Sequence, residues 1–430
     1  MNETIIIMIF IIIGGIAALI YRFYDQDRYK QQTASFDAFN RLKVSQPFTL
    51  GDYKHYYSRT DDMLAETVSG ATVAHNTNEA SVKLSVTSTI GSKAIHQSKM
   101  YHHYMPGKSQ FILSSFVFFK HTPGIIKRTG YFDDRDGIFF EQDKDGTLYF
   151  VIRSYTSGEV KETKISQKNW NGDRLKTWKI DLDKTQLLWI DFQWLGVGRV
   201  RCGFVHKDEY ILCHSFYNSD NLETVYMANS NLPTRCEILN HNSSTPTFMN
   251  QICSTVASEG GYTEAGNDFS YVYDIAENEL ASGTEVNLLG LKLNNTFKGK
   301  PNRTFARLSD VKVFSNGNNV IFKVYKVKSF DNGTVETLVN YDGIAQVVRN
   351  PTSLEDKVLI GSGIVASGGK GNKQFSTSSG DSGSKAKKNF IAQNFDSNDS
   401  EGYVISVQLT KNDTVTESDI VVSLDWREIY

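Results

Sequence analysis

The chain has 430 residues, enough for two or three domains with sizeable cores. At 40% hydrophobic, 12% aromatic and 22% charged it is globular in composition, which excludes a disordered chain. Lys+Arg 46 against Asp+Glu 48 gives no global attraction for nucleic acid, and 7 prolines and 4 cysteines exclude collagen-like and disulfide-dense scaffolds.

The first element is the uncharged run from Ile5 to Tyr21, 17 residues with nine isoleucines, Ile5, Ile9, Ile12 and Ile16 among them. As a helix rising about 1.5 Å per residue it nearly spans a hydrocarbon core of roughly 30 Å. Tyr21, Phe23 and Tyr24 supply aromatic residues for the interface. A cleaved signal would need a basic n-region, but only Glu3 is charged there, and bulky Leu19, Ile20 and Tyr21 follow Ala17-Ala18. A buried core helix is not normally so uniformly apolar at the extreme terminus of a chain. The run is therefore expected to be a membrane anchor, with residues 1–33 comprising the anchor and a polar stalk. Arg22, Arg28 and Lys30 follow the run and no Lys or Arg precedes it, so the body is expected on the cytoplasmic side.

Beyond residue 33 the pattern has period two. Val82, Leu84 and Val86 alternate, and 111–119, 148–152, 187–192 and 199–205 are apolar runs of strand length. Asp136-Gly137, Asp145-Gly146, Ser157-Gly158, Asn171-Gly172 and Asn332-Gly333 mark turns between them. Residues 34–265 are expected to form a β-sandwich of jelly-roll type. A Gly-rich polar break at 258–268 precedes a second β region, 266–430, with strands at 311–314, 320–327 and 403–409. Within it, Gly361 to Lys388 is nearly all Gly, Ser and Lys and is expected to be a flexible exposed loop. The apolar end, Ile420 to Tyr430, is expected to pair in a sheet.

The search for chemistry returns near misses. Pro106-Gly107-Lys108-Ser109 has the end of a P-loop, but His102 stands where the motif needs its first glycine. Gly380-Asp381-Ser382-Gly383 spells a serine-protease nucleophile signature inside a low-complexity tract, with no histidine in a matching context. Glu141, Asp143 and Asp145 alternate, so on a strand they would share one face, as catalytic carboxylates do in some sandwich glycosidases. Two blander readings compete: a structural cation, and a solvated hairpin edge turning at Asp143-Lys144-Asp145-Gly146. The hairpin edge is preferred. Cys202, Cys213, Cys236 and Cys253 lack metal-ligand spacing, and Cys202 and Cys213 read as small buried hydrophobes. No catalytic residue, cofactor or metal is expected.

The body also carries a set of stretches in a particular order. They are Arg41 to Ser45 with Pro47, Asn78 to Ser81, Pro106 to Gln110, Gly130 to Glu141, Ile190 to Phe204, Asn231 to Pro233 with Arg235, and Ile252 to Gly261. Asp425-Trp426-Arg427-Glu428-Ile429 closes the series. Taken together these stretches resemble a family of virion structural proteins, minor capsid components of tailed phages and large DNA viruses. The first half is also similar to lectin-like, concanavalin-like jelly rolls. The family offers no catalytic residues. The resemblance implies a structural protein that contacts other capsid proteins, and it leaves open whether the chain is a homo-oligomer. The apolar N-terminus departs from the phage pattern and points to a virus with an internal membrane. The expectation is thus a single-pass virion protein linking bilayer and capsid shell, or else a carbohydrate-binding surface module.

Overall fold

The computed structural model describes residues 47–172, 179–260, 266–275, 283–331, 333–336, 338, 341–375, 390–393, 399–410 and 419–429. Among these the chain is all-β, with one 3-10 turn at Gln167–Asn169. No helix among the described residues is long and apolar enough to cross a membrane. The expected anchor (Ile5, Ile9, Ile12, Ile16, Tyr21) and its flanking Arg22, Arg28 and Lys30 lie outside the described residues.

Two antiparallel sheets form the first sandwich. One runs Glu209–Phe216, Val200–His206, Gln186–Phe192, Gln110–Val117, Thr247–Glu259, Ser81–Val86, Thr72–Asn76, with Pro47–Lys54 also pairing Thr247–Glu259. The other runs Lys161–Ser166, Leu148–Ser154, Gly137–Gln142, Ile125–Phe132, Thr234–Asn240, Lys93–Ser98, Met63–Val68. Alternation decides which side chains meet between them. Val82, Leu84, Ile112, Phe116, Ile190 and Phe204 point inward from the first sheet. Tyr131, Ile138, Phe140, Phe150 and Ile238 meet them from the second. Burying each such side chain is worth roughly 1.5–3 kcal/mol against exposure, which fixes the register because a one-residue slip would turn the whole set outward.

The second sandwich has the same logic. One sheet is Asn267–Ile275, Asp419–Ile429, Phe305–Asn316, Gly369–Gln374, with Phe390–Ala392 alongside Phe305–Asn316. The other is Thr334–Val335, Ala345–Arg349, Glu285–Leu293, Gly402–Leu409, Val320–Val327, Val358–Val365. Leu291, Val313, Phe322, Val407, Leu424 and Trp426 share its core. The C-terminal strand is an inner strand, bonded to Asn267–Ile275 on one side and to Phe305–Asn316 on the other.

One expectation fails here. The first half of the tract read as a flexible loop is two strands joined by a turn at 366–368: Val358–Val365 pairs with Val320–Val327, and Gly369–Gln374 with Phe305–Asn316. Backbone pairing needs no apolar side chains, and the glycines make room for a neighbour. A Cβ at Gly363 would lie 2.4 Å from the Phe322 ring. The remainder, 376–388, lies outside the described residues.

The two sandwiches touch. Glu401 accepts ion pairs from Lys99 (2.5 Å) in the first and Lys326 (3.1 Å) in the second. Met100 packs against Phe305, Phe390 and Ile429.

Candidate functional site

The face of the second sheet turned away from the core carries ionisable groups on five adjacent strands. Arg128 lies opposite Glu141 on one side and opposite Glu237 on the other, so one guanidinium serves two acids. Its Nε donates to Glu141 at 2.6 Å and its Nη1 to Glu237 at 2.7 Å. Lys164 reaches the other Glu141 oxygen at 2.7 Å and Glu162 at 3.1 Å. Arg153 holds Glu162 through two nitrogens, at 2.7 and 3.0 Å, and Arg235 donates to Asp134 at 2.8 Å.

The Glu141 and Arg235 side chains are 0% exposed, so water does not screen them. Burial opposes the charge on Arg128, but Glu237 and Glu141 outweigh it and hold the guanidinium above its ordinary range. Burial likewise opposes the Glu237 carboxylate, and Arg128 and Arg235 overcome it and hold the carboxyl below its usual range. Aromatic rings lie among the cations. Arg153 sits 5.0 Å from the Phe139 ring centre and 5.6 Å from that of Phe132, and Arg235 lies 5.4 Å from Phe132.

This geometry removes the carboxylate row and changes the place of Glu141 in the preferred hairpin reading. The strand Gly137–Gln142 stops before Asp143, so Glu141 shares no strand face with Asp143 or Asp145. Asp143 opens a turn that closes with Gly146 N–H donating to its carbonyl at 2.8 Å, and Gly146 takes φ +83°. The turn residues are those the hairpin reading named, but Glu141 is buried and paired, not a solvated acid. Upstream, Asp133 accepts from the backbone of Arg135 and Asp136, and Asp136 accepts from Tyr155 and Ala228. These carboxylates hold loops together. No group of three His, Cys, Asp or Glu among the described residues is placed to hold a metal ion.

A second surface lies on the outer face of the other sheet, and the sequence reading did not single it out. Trp189 and Asp191 alternate with the core residues Leu188, Ile190 and Phe192, so they face away from the core, though both stay buried under their neighbours. Trp189 stacks with Phe111 at 6.4 Å between ring centres and meets Tyr210 edge-on at 6.1 Å. Its indole lies against Gly203, where a Cβ would come within 2.8 Å of the ring. Arg201 grips Asp191 through Nε, at 2.9 Å to each oxygen, and sits 5.5 Å from the Trp189 ring. Tyr210 is 56% exposed and forms the open edge of the patch. The signal in the sequence was the alternation of Trp189 and Asp191 with Leu188, Ile190 and Phe192, which carries no trace of the partners on other strands.

The remaining candidates are accounted for by packing. Cys202, Cys213 and Cys236 are buried free thiols and Cys253 is exposed. Burial pushes the Cys202 thiol well above its ordinary range. Lys108 donates to the Gly260 carbonyl at 2.7 Å, so the P-loop-like run ties two loops together. The protease-like Gly380 to Gly383 lies outside the described residues.

No protein-family model matches the chain, and no curated protein matches it. Solved structures do. The chain is similar to the glycoside hydrolase family 16 endo-glucanase from Bacteroides ovatus, at 11% identity over 47% of this chain and 99% of that one, with TM-score 0.33. It is similar to the carbohydrate recognition domain of Emp46p, at 13% identity over 50% of this chain and 98% of that one, with TM-score 0.31. A carbohydrate esterase from Shiga toxin-encoding bacteriophage phi24B matches at 10% identity over 50% of this chain and 100% of that one, with TM-score 0.30. Each likeness spans about half of this chain.

Proposed function

We propose that the protein is a structural component of a large DNA virus particle, a minor capsid protein that links an internal membrane to the shell. In this reading the run Ile5 to Tyr21 holds the bilayer, and the body stands on the cytoplasmic, capsid-facing side. A jelly-roll sandwich and a second β unit present surfaces to capsid neighbours. The family resemblance from Phe36 to Tyr430 supports it. The structural observation that carries it is the outer face of the first sandwich, where Glu141, Glu237 and Glu162 are each committed to Arg or Lys across five strands. Ionisable groups used this way stiffen a sheet, and these three acids are held in ion pairs. The test is mass spectrometry of purified particles after graded detergent extraction. The protein is expected in the particle and released only when the membrane dissolves. Its absence from the particle overturns the proposal.

A second reading, a glycan-binding module, is favoured by one observation. The exposed Tyr210 ring, backed by the buried Trp189 ring and the Arg201–Asp191 pair, offers an aromatic face to solvent. Sugar rings stack on such platforms through their apolar faces while polar neighbours fix their hydroxyls. A glycan array probed with the wild-type protein and with Y210A separates the readings. Binding lost in Y210A supports the module, and no binding to any glycan removes it.

A further inference from the structure

Four loops meet at one end of the first sandwich: residues 118–121 and 179–183, which flank strands of one sheet, and the turns 143–147 and 167–169 of the other. Backbone bonds hold them in place. Phe119 N–H donates to Leu182 O at 2.8 Å, and Gly124 N–H to Lys144 O at 2.9 Å. A Cβ at Gly146 would lie 3.0 Å from the His121 ring, so the first loop packs on the turn. Between the loops lies an open cleft of about 1130 Å³, room enough for a small organic ligand.

The floor of this cleft is polar where a sandwich is ordinarily apolar. Gln142 ends the strand Gly137–Gln142 in the row of Ile138 and Phe140, so alternation turns its side chain between the sheets, and it is only 4% exposed. Lys127 lies opposite it in the neighbouring strand, fully buried, and is tied down by donating to the Phe118 carbonyl. Gln142 has no such tie: its Oε1 is buried and accepts no hydrogen bond. The Nδ1 of His121, in the same lining, is also buried and unbonded. Two buried groups without partners on the wall of one cleft mark a place where a ligand supplies the missing hydrogen bonds.

The rim selects the ligand. Lys120, Lys168 and Lys179 stand beside Asp181 and Asp183, all five exposed and none in an ion pair with another described residue. The nearby Lys144 and Asp145 hold each other at 3.0 Å. A rim of mixed sign offers no field to draw a polyanion or a polycation. Hydroxyl groups use both signs, accepting from lysine and donating to aspartate. The half-buried Phe119 and Tyr149 rings add apolar wall for the C–H face of a sugar ring.

We propose that this cleft binds an uncharged saccharide, with one hydroxyl donating to Gln142 Oε1 at the floor and others held by the rim. The cleft shares no residue with the Tyr210 surface and takes from the glycan-binding reading only the class of ligand, so variants of the two sites separate them.

The test is a glycan array carrying neutral and acidic oligosaccharides, probed with the full chain in detergent micelles and with Q142L. Leucine removes the amide at similar volume and leaves no unmet acceptor. Q142L is therefore expected to melt no lower than wild type and yet to bind neutral oligosaccharides about tenfold more weakly, the effect of one hydrogen bond lost from a buried site. A purely structural Gln142 gives the reverse, a lower melting temperature with unchanged binding, and that result overturns the proposal. Binding lost in Y210A and kept in Q142L overturns the cleft and leaves the Tyr210 surface standing. K168A with N169A, on the exposed turn, serves if Q142L does not fold, and is expected to weaken binding severalfold. Binding confined to acidic oligosaccharides, or binding to none, overturns the proposal.

Discussion

At Glu141 one buried carboxylate is shared by two cations, and each cation keeps a second acid when it is removed. Arg128 still has Glu237, and Lys164 still has Glu162. E141Q is therefore expected to cost only about 1–3 kcal/mol, the range for a lost charge-assisted hydrogen bond. R128M is different because it removes the cation between two buried acids, leaving Glu141 only Lys164 and Glu237 only Arg235 at 3.6 Å. Its expected cost is about 3–5 kcal/mol, the range for a buried pair deprived of one partner. Urea unfolding of the two variants checks the order, and equal losses would refute the sharing argument. Gly203 gives a second test. An alanine there would bring its Cβ within 1.9 Å of the Ile211 carbonyl and 2.8 Å of the Trp189 indole. G203A is expected to destabilise by at least about 1–3 kcal/mol and to shift the tryptophan fluorescence. This scale was the least legible in the sequence. The turn at Asp143 to Gly146 was legible from its residues, but that Glu141 beside it is buried and paired was not. The partners of Glu141 and Glu237 come from other strands by register, and local periodicity carries no register. Trp189 escaped notice for a related reason, since its neighbours Phe111, Arg201 and Tyr210 are adjacent only in the folded sheet.

Elements were more legible where one face must be apolar. Ser81–Val86, Gln186–Phe192, Val320–Val327 and Gly402–Leu409 fall where alternation or an apolar run placed them, because burial selects side chains at every second position. The terminal strand Asp419–Ile429 follows the same rule with Val422, Leu424 and Trp426 in the core. The Gly and Lys tract misled because its strands have few side chains to bury. Gly369–Gln374 alternates between exposed and half-buried positions and is held by its pairing with Asp310 to Ser315. That pairing makes a prediction opposite to the one composition invites. Trypsin has to open about ten residues of backbone to cut, so Lys370 and Lys373 are expected to resist cleavage in the native protein. Mass spectrometry of a limited digest checks this, and early fragments ending at Lys370 or Lys373 would show that this strand does not hold its pairing.

Over the whole molecule, histidines set the response to acid. His96 is 0% exposed, and burial, opposed by its bond to Gln251 at 2.6 Å, pushes its pKa down to about 3. Burial also pushes His55 down to about 4, with His75 and Arg59 adding to the effect, and it alone pushes His214 down to about 4. In the unfolded chain each regains an ordinary value near 6.5. The sign follows: below pH 6.5 the unfolded chain takes up protons that the folded one refuses, so stability is full above pH 6.5 and falls as pH drops toward the folded values. Each histidine contributes about 1.4 kcal/mol per pH unit across that window. Three of them remove several kcal/mol between pH 6.5 and 5, a large part of the roughly 5–15 kcal/mol that a folded domain has. The carboxylates act later in the same direction. Burial opposes the charge on Glu162, Glu237 and Asp134, but their Arg partners hold all three below the usual range, so their contribution is lost only as pH falls below about 4.5. Thermal melts between pH 7.5 and 4 are therefore expected to show two descending legs, the first beginning near pH 6.5. H96Q flattens the first leg and leaves the second in place, because it removes a proton site without touching the ion pairs. A melting temperature constant from pH 7 to pH 5 would mean that these rings take up protons in the folded protein, and the packing around His55 and His96 would have to be redrawn.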